Sequence, residues 1–393
     1  MNIDININKI SDLLTRGVDE IIDKKSLEDK LRSGKQLRVK LGIDPTSPNI
    51  HLGRSIPLLK LRDFQELGHQ IILIIGDFTG TIGDTSDKES ERPMLSQEMI
   101  QNNLKNYIEQ AGKIIDIDKA EIFYNSSWLG ELKYSDIGYQ ADQFSLNEFI
   151  SRENIKKRLN VGKRIVLREL LYPLMQAYDS VKVKADVELG GTDQRFNILA
   201  GRTLQRAYSQ EPQDVITNPL IEGLDGKKMS SSWGNTINIF EEPNNMFGKL
   251  MTLNDEFIIR YFVLLTRFDL QKIKEYEGEM KSGANPRDYK MKLAFEIVKF
   301  YHSEDDAKKA QDYFIKTVSN KEIPKDMQIF KPKNNDLISV LVDSGLVTSK
   351  SDGRRVISQN GVRIDGVVVS DLDIVVKRGQ VIQKGKINFI KIN

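Results

Sequence analysis

The chain has 393 residues, enough for about two to four domains, and its 39% hydrophobic and 29% charged residues are typical of a globular protein. The formal charge of +2 argues against a polycation that coats nucleic acid, and the absence of cysteine excludes disulfides, thiolate metal sites and a cysteine nucleophile. With three histidines and no apolar run near the roughly 18 residues of a membrane span, we expect a soluble cytoplasmic protein without a multi-histidine metal centre or a membrane partner.

The first half of the chain predicts an α/β fold. Residues 4–32 have apolar positions at helical spacing and predict one amphipathic helix. A strand at 37–43, a helix at 52–67 and a buried strand at 71–75 then make a βαβ unit, which predicts a parallel sheet with a right-handed crossover. Further strands, with helices between them, are predicted at 121–124, 187–189, 215–217 and 237–239.

The second half of the chain changes pattern twice. Residues 244–316 are mostly helical in pattern with a break at 282–286, whereas 321–335 hold two prolines and no periodicity. From Asp336 two short helices precede alternating strands such as 367–369 and 374–376. The predicted domains are an α/β domain over 1–238 with an insertion at about 95–168, a helical domain over 239–325, a linker over 326–334 and an α+β domain over 335–393.

The loop and helix start at residues 44–54 are suited to a phosphate. The loop follows the first strand of the βαβ unit, and ligands of open α/β sheets bind beyond the carboxyl ends of the strands. The helix start offers unpaired N–H groups, and His51 and Arg54 share one helical face. Gly53 lets a ligand approach the backbone closely. The alternative is a capped helix start with an incidental histidine.

Two further loops have compatible chemistry. Residues 225–232 place Lys227 and Lys228 just before three serines, and such a set can donate charge-assisted hydrogen bonds to phosphate oxygens. Residues 189–194 hold two glycines and Asp193, whose carboxylate is placed to accept from ribose hydroxyls. A solvated surface loop and a tight turn are the alternatives. Neither the Walker A pattern nor the dinucleotide-binding glycine pattern is present, so ATP would depend on these loops.

Several segments carry a resemblance to a known family. Residues 51–54 (His-Leu-Gly-Arg) resemble the HIGH motif, and residues 228–232 (Lys-Met-Ser-Ser-Ser) resemble the KMSKS motif, of class I aminoacyl-tRNA synthetases. Residues 172–179, 190–194 and 76–92 are similar to segments of tyrosyl-tRNA synthetases, the first two to the tyrosine pocket. The tail resembles an S4 RNA-binding domain. The resemblance covers nearly the whole chain and is closest to the bacterial tyrosyl branch with an S4 tail.

The resemblance implies a fold and a reaction. The fold is a Rossmann-like parallel-sheet catalytic domain with a connecting insertion, then a helical domain of the anticodon-binding type and the S4 domain. L-tyrosine and ATP form tyrosyl-adenylate and pyrophosphate, and the tyrosine is then transferred to the 3′ end of tyrosine tRNA. ATP is a substrate that brings Mg²⁺, and no protein-bound metal is expected. The catalytic residues implied are His51, Arg54, Lys228, Ser231, Lys88 and Arg92.

The resemblance also implies which residues bind the two small substrates. Those for ATP are Asp44, Thr46, His51, Gly53, Arg54, Gly191, Asp193, Lys228, Met229, Ser230, Ser231 and Ser232. Those for tyrosine are Asp84, Tyr172, Gln176, Asp179 and Gln194. Tyr172, Gln176 and Asp179 recur at i, i+4 and i+7, so they share one helical face, and Asp179 matches the acceptor of the phenol hydroxyl. A polar core stripe is the alternative for this face.

Three positions depart from the family pattern. Arg54 stands where the first motif usually has histidine, and Ser231 stands where the second motif has its second lysine. Lys227 is a candidate to replace that lysine. Lys40 stands where many members have a tyrosine that binds the substrate hydroxyl, so the way in which that hydroxyl is recognised stays open.

Two basic regions predict an RNA partner. Residues 335–393 hold nine basic residues against six aspartates, and a second basic run covers 152–168. A solvated helix face is the alternative for each run. The candidate tRNA-binding residues are Arg152, Lys156, Lys157, Arg158, Arg354, Arg355, Lys377 and Arg378. The resemblance further implies a homodimer. The competing functions are a tryptophanyl-tRNA synthetase and a non-catalytic RNA-binding relative.

Overall fold

The computed structural model describes residues 3–86, 94–319, 327–385 and 388–393. The chain packs as two compact units, which we call the first unit (Met1–Phe240 with Asn254–Asn285) and the second unit (Glu241–Leu253 with Pro286–Asn393). Residues Asn254–Asn285 therefore pack with the α/β part, although the sequence pattern assigned them to the helical domain.

The elements are numbered in chain order. The strands are β1 (Glu20–Ile22), β2 (Arg38–Ile43), β3 (Gln70–Ile75), β4 (Glu121–Tyr124), β5 (Val187–Gly191), β6 (Asp214–Asn218), β7 (Gln328–Phe330), β8 (Val362–Ile364), β9 (Val367–Val368), β10 (Val381–Lys384) and β11 (Asn388–Ile392). The helices are α1 (Ile7–Leu13), α2 (Lys24–Arg32), α3 (Leu52–Glu66), α4 (Thr79–Ile82), α5 (Gln97–Leu104), α6 (Tyr107–Gly112), α7 (Ser126–Leu129), α8 (Tyr134–Ala141), α9 (Leu146–Ile150), α10 (Glu153–Asn160), α11 (Leu167–Val183), α12 (Arg195–Ala207), α13 (Pro243–Leu250), α14 (Ile258–Leu265), α15 (Leu270–Lys281), α16 (Pro286–Tyr301), α17 (Glu304–Phe314), α18 (Leu337–Asp343) and α19 (Lys350–Ser358).

A six-stranded sheet forms the centre of the first unit. Its strand order is β1-β6-β5-β2-β3-β4, in which β6, β5, β2, β3 and β4 are parallel and β1 is antiparallel to β6. The continuous apolar run of β3 is buried, as expected for a parallel strand that is covered on both faces. The order reverses direction beside β2, which makes the edge beyond β2 and β5 the expected ligand site. The predicted α/β parallel-sheet fold is confirmed.

The N-terminal prediction of one helix over 4–32 is wrong. The segment forms α1, the short strand β1 and α2. Gly17 adopts φ +59° and Asp23 adopts φ +60°, and neither left-handed conformation fits inside an α-helix. Between them Ile21 pairs with Ile216 of β6. The apolar residues are therefore spaced as in a helix, but the chain turns at Gly17 and Asp23, and the strand residues between these turns pair with β6.

Two other predicted strands are absent, although their segments still pair. Residues 237–239 form a single antiparallel bridge, between Asn238 and His51, and backbone hydrogen bonds join Ile237 and Ile239 to Leu52 and Ile50. Residues 374–376 likewise form one bridge, between Val375 and Asp336. Each bridge joins two segments that lie outside the named strands.

The second unit combines helices with a small sheet. Helices α13, α16 and α17 pack together, as the helical pattern over 244–316 predicted. The C-terminal part is an α+β structure in which α18 and α19 cover a five-stranded sheet of order β7-β11-β10-β8-β9. Its core contains Leu337, Leu341, Ile357 and Ile382. Strand β7 lies inside the segment expected to be a linker and pairs in parallel with β11.

No helix in the part of the chain that the structure describes combines the length and hydropathy needed to cross a bilayer.

Candidate active site

The carboxyl ends of four parallel strands converge on one cavity. Asp44 follows β2, Gly76 follows β3, Gly191 ends β5 and Asn218 ends β6. These residues line a cavity of about 270 Å³, together with the start of α3, one face of α11 and the loop over 228–232. Because parallel strands end on the same edge, loops that are far apart in sequence meet here. The cavity therefore lies at the strand ends where the sequence predicts a ligand site.

His51 caps the start of α3. Its Nδ1 accepts a hydrogen bond from the backbone N–H of Arg54 at 3.3 Å, so the proton of the neutral ring lies on Nε2. Burial, with help from the charges of Arg54 and Lys228, lowers the pKa of His51 to about 3. The imidazole is thus neutral at physiological pH and can only donate from Nε2. It offers a hydrogen bond, not a positive charge.

The loop over 225–235, which contains the Lys-Met-Ser-Ser-Ser segment, is fastened by Asn235. The Asn235 side chain accepts from the backbone N–H of Ser230 at 2.9 Å and donates to Asp225 Oδ1 at 2.6 Å and to the Lys228 carbonyl at 3.0 Å. Lys228 Nζ lies 3.0 Å from Asp193 Oδ2, so the predicted phosphate cation and the predicted ribose acceptor already touch. The loop is thus held over the cavity by its own contacts.

Two contacts join this loop to the start of α3 and to the loop that precedes α3. The backbone N–H of Gly53 donates to Met229 Sδ at 3.3 Å, and Ser231 Oγ lies 3.4 Å from Ser47 Oγ. Ser47 Oγ also accepts from Arg54 Nη1 at 3.3 Å. Ser231 and Arg54 are the two departures from the motifs, and one hydroxyl contacts both.

A polar chain runs from α11 across the strand ends. The Tyr172 hydroxyl donates to Asp44 Oδ2 at 2.9 Å, and Asp44 Oδ1 accepts from Thr79 Oγ1 at 2.7 Å. Burial, together with the nearby carboxylates of Asp44 and Asp84, raises the pKa of Tyr172 well above its usual value, so it stays a neutral donor. Gly76 makes the arrangement possible, since a Cβ there would lie 2.0 Å from Asp44 Oδ1. Any larger residue at position 76 would separate Asp44 from Thr79.

Asp179 is a buried carboxylate that also lines the cavity. Trp128 Nε1 donates to its Oδ1 at 2.8 Å, and Asn125 Nδ2 donates to its Oδ2 at 3.3 Å. Burial raises the pKa of Asp179 to about 7, against the opposing effects of the Lys40 charge and of these two donors. Near neutral pH the group therefore changes easily between donor and acceptor, which suits the recognition of a hydroxyl.

Lys40 does not line the cavity but belongs to a buried cluster behind it. Its ammonium donates to Glu188 Oε1 at 2.9 Å, to Ser180 Oγ at 2.7 Å and to the Gln176 carbonyl at 3.0 Å. Gln176 Nε2 in turn donates to Glu188 Oε1 at 3.2 Å. Lys40 therefore supports the wall that carries Gln176. On the opposite side Gln194 Nε2 donates to Asp84 Oδ2 at 2.7 Å.

The predicted ATP and tyrosine residues come together in this cavity. Its lining includes Asp44, Thr46, His51, Gly53, Arg54, Asp84, Tyr172, Gln176, Asp179, Gly191, Asp193, Gln194, Lys228, Met229, Ser230, Ser231 and Ser232. The predicted catalytic residues Lys88 and Arg92 lie outside the described residues. Among the described side chains, no group of three or more histidines and carboxylates is placed to hold a metal ion.

The basic run over 152–168 is not a uniform surface stripe. Arg158 is 1% exposed and binds both carboxylate oxygens of Glu169, and Arg152 is buried, with its guanidinium on the carbonyls of Phe149 and Glu169. These two arginines cannot reach RNA, so their assignment as tRNA ligands is corrected. The other six candidates are exposed: Lys156, Lys157, Arg354, Arg355, Lys377 and Arg378.

Several site residues were missed by the sequence reasoning. Asn125 immediately follows strand β4, so the rule that identified Asp44 after β2 could have found it. Thr79 lies three residues beyond Gly76 and could have been found in the same way. The role of Asn235 depends on a loop conformation that nothing in the residue types predicts.

Comparisons with known proteins agree with this geometry. The family model described as tRNA synthetases class I (W and Y) matches residues 32–319, and one described as the tyrosine–tRNA ligase SYY-like C-terminal domain matches 315–391. The tyrosine–tRNA ligase of Thermotoga maritima is 46% identical over 97% of this chain and 96% of its own length, and tyrosine–tRNA ligase 2 of Clostridium acetobutylicum is 45% identical over 98% and 99%.

Solved structures show the same fold. The tyrosyl-tRNA synthetase of Archaeoglobus fulgidus, solved with L-tyrosine, matches with a TM-score of 0.62 at 24% identity over 78% of this chain and 100% of that one. A truncated mitochondrial tyrosyl-tRNA synthetase of Coccidioides posadasii gives 0.64 at 23% identity over 77% and 91%. Both family models and the near full-length likeness to curated relatives lead to one conclusion: this chain belongs to the class I tRNA synthetases, in the group of the tyrosine–tRNA ligases.

Proposed function

We propose that the chain joins L-tyrosine to ATP to give tyrosyl-adenylate and pyrophosphate, and then transfers the tyrosine to the 3′ end of tyrosine tRNA. The observation that carries the proposal is the lining of the cavity described above, which combines cationic side chains with a buried carboxylate. We assign one end of the cavity to His51, Arg54 and Lys228, around the start of α3, and the other end to the buried carboxylate of Asp179. Such a cavity fits a phosphate at the first end and a hydroxyl at the second.

The ATP end is assigned to the residues of the two motif loops. The Nε2–H of His51 and the charges of Arg54 and Lys228 would stabilise the phosphates, while Asp193 would accept from the ribose hydroxyls. Asp44 and Thr46, with the backbone of Gly53 and Gly191, complete the nucleotide contacts. The loop residues Met229, Ser230, Ser231 and Ser232 would close over the phosphates. Mg²⁺ enters with ATP as part of that substrate.

The tyrosine end is assigned to α11 and its neighbours. Asp179 would recognise the phenol hydroxyl, and phenylalanine would leave that buried group without its partner, which is costly. Tyr172, Gln176, Asp84 and Gln194 would surround the α-amino group. In this pose the tyrosine carboxylate lies toward the ATP end. One of its oxygens forms a bond to the α-phosphorus while the bond from that phosphorus to the pyrophosphate oxygen breaks.

This step needs positioning and charge stabilisation rather than a covalent enzyme intermediate. The carboxylate oxygen and the α-phosphate must approach in line, and negative charge moves onto the departing pyrophosphate. Lys88 and Arg92 are proposed to contact that pyrophosphate.

Surface features support the proposals for partners. The exposed cations Arg354, Arg355, Lys377 and Arg378 give the C-terminal domain a basic surface suited to tRNA phosphates, and Lys156 and Lys157 do so in the insertion. The insertion also exposes large apolar side chains, with Tyr134 at 93% and Leu167 at 79%, which favours a homodimer. A tRNA ligase that consumes ATP would act in the cytoplasm.

The test is ATP–pyrophosphate exchange with single amino acids. Tyrosine is expected to support exchange, and exchange with tryptophan alone would reject the proposal. Asp179→Ala is expected to abolish exchange with tyrosine while ATP still binds. An unchanged affinity for tyrosine in that variant would show that the pocket is assigned to the wrong end of the cavity.

Charging of tyrosine tRNA by the variant Arg354→Ala/Arg355→Ala tests the RNA surface. It should charge tRNA more slowly than the wild type at equal exchange activity.

A further inference from the structure

Two departures from the signature motifs lie next to each other in the folded chain. Ser231 occupies the position of the second motif lysine, and Arg54 occupies the last position of the first motif. They are 177 positions apart in sequence, but Ser47 Oγ lies 3.4 Å from Ser231 Oγ and 3.3 Å from Arg54 Nη1. One motif has lost a cation and the other has gained one, and the Ser47 hydroxyl contacts both positions.

The Arg54 guanidinium is held in a fixed orientation at the cavity. Nη1 donates to the Tyr107 hydroxyl at 2.8 Å, and Nη2 donates to Thr46 Oγ1 at 2.7 Å. With the contact to Ser47, three of its five N–H donors have partners on this side, and the remaining two have no acceptor among the described residues. An arginine fixed on one side and able to donate on the other can bind a phosphate in two places.

Arg54 also acts on the same group as Lys228. Both charges contribute to the lowered pKa of His51, which places the guanidinium and the motif lysine within electrostatic range of one imidazole. The cavity thus has two cations beside the phosphate end, although the second motif supplies only one of them.

We infer that Arg54 carries the positive charge that the second lysine of the signature loop supplies elsewhere in the family, so that residues 54 and 231 work as one exchanged pair. This inference rests on the proposed function and adds a specific partner for the departing pyrophosphate. In this chain the cation is fixed on the rigid start of α3 rather than on the loop. A lysine at 231 would then put a like charge beside the guanidinium, which is unfavourable.

The experiment is a cycle of variants in the full-length chain, with exchange measured at saturating tyrosine. Arg54→His should lower the rate about 100-fold or more, the usual effect of losing a group that stabilises transition-state charge. The loss should be accompanied by weaker use of pyrophosphate and an unchanged KM for tyrosine. Arg54→Lys, which keeps the charge, should stay within about tenfold of the wild type.

The double variant decides the question. Arg54→His/Ser231→Lys should recover at least about tenfold over Arg54→His, while Ser231→Lys alone should give no gain. Recovery of the double variant, together with no gain in rate from Ser231→Lys alone, supports the exchange. A double variant as slow as Arg54→His, or a tenfold gain from Ser231→Lys with Arg54 present, would overturn it.

Thermal unfolding and the KM for tyrosine of each variant report damage to the fold. If Arg54→His raises that KM in parallel with its loss of rate, the arginine has a structural role and the inference fails. Absence of tyrosine-dependent exchange in the wild type would instead reject the proposed function itself.

Discussion

Replacing Lys40 by methionine should destabilise the first unit by about 3 kcal/mol. The Lys40 and Glu188 side chains are 0% and 1% exposed, and their charged atoms lie 2.9 Å apart. Removing one member of such a pair leaves the other as a buried charge, at a cost of roughly 3–5 kcal/mol. Glu188 keeps hydrogen bonds from Ser180, Gln176 and Gln213, which place the expected cost at the lower end of that range.

The double variant Lys40→Met/Glu188→Gln distinguishes the cost of an unpaired buried charge from the cost of altered packing. It removes both charges, keeps one amide oxygen that can accept from Ser180 and Gln213, and should recover at least half of the lost stability. A matched control is Lys35→Met, because the pair of Lys35 with Asp186 is exposed on the lysine side at 58%, and such pairs contribute about 1 kcal/mol or less.

Urea unfolding followed by tryptophan fluorescence measures these differences. The chain has two tryptophans, and Trp233 is 57% exposed, so a Trp233→Phe background leaves Trp128 as the reporter. Trp128 is buried and donates to Asp179, within the first unit. A cost below about 1 kcal/mol for Lys40→Met, or a double variant no more stable than the single one, would refute the reasoning.

Three further predictions concern single positions. Gly76→Ala should lower tyrosine exchange by about tenfold or more, because its Cβ would break a 2.7 Å hydrogen bond, whereas Gly138→Ala meets nothing within 4 Å and should keep the wild-type rate. Arg158→Met should cost about 3–5 kcal/mol in urea unfolding, against about 1 kcal/mol or less for the exposed Lys157→Met; similar values for both would contradict the buried pair. The pKa of His51 is about 3 in the folded chain, so between about pH 3 and 6.5 its side chain binds fewer protons than in the unfolded chain, and its contribution to stability falls as the pH falls through that window. Above that window, His51→Asn should change the rate of exchange but not the pH profile of the rate. An ionisation near pH 6.5 that only the wild type shows would count against a neutral imidazole.

The residues of the cavity were accessible from the sequence because they follow a topological rule. Asp44 and Gly191 stand at the ends of apolar strands, and those strands could be recognised from composition alone. The period of one helix places Tyr172, Gln176 and Asp179 on one face, whereas their assignment to a tyrosine pocket was implied by the resemblance to the family. Local patterns therefore predicted which residues share a strand end or a helical face, and the resemblance supplied what those residues bind.

Burial of charged groups was not accessible in the same way. Arg158 lies in a basic run that looks like an RNA-binding surface, but Glu169 eleven positions later folds back and pairs with it inside the unit. Lys40 finds Glu188 only after two strands have become neighbours in the sheet. Charge sign can be read from the sequence, whereas the partner of a charge depends on tertiary contacts.

Strand β1 shows the same limit for the backbone. It has three residues, and its partner in β6 is nearly 200 residues away, so no window of sequence contains both. The apolar residues Ile21 and Ile22 fit a helix just as well until β6 offers its edge.

The contact between Lys228 and Asp193 has a consequence for how a nucleotide is selected. Both groups are proposed to bind ATP, so ATP would exchange their 3.0 Å bond for two bonds of its own, one from the ribose and one from the phosphates. Adenosine would separate the pair without offering the ammonium an anion, and free pyrophosphate would do so without offering the carboxylate a donor. Each fragment would have to break the bond between Lys228 and Asp193, but it would form only one of the two bonds that replace it. On the proposed assignment, we therefore expect intact ATP to bind more tightly than either of its fragments.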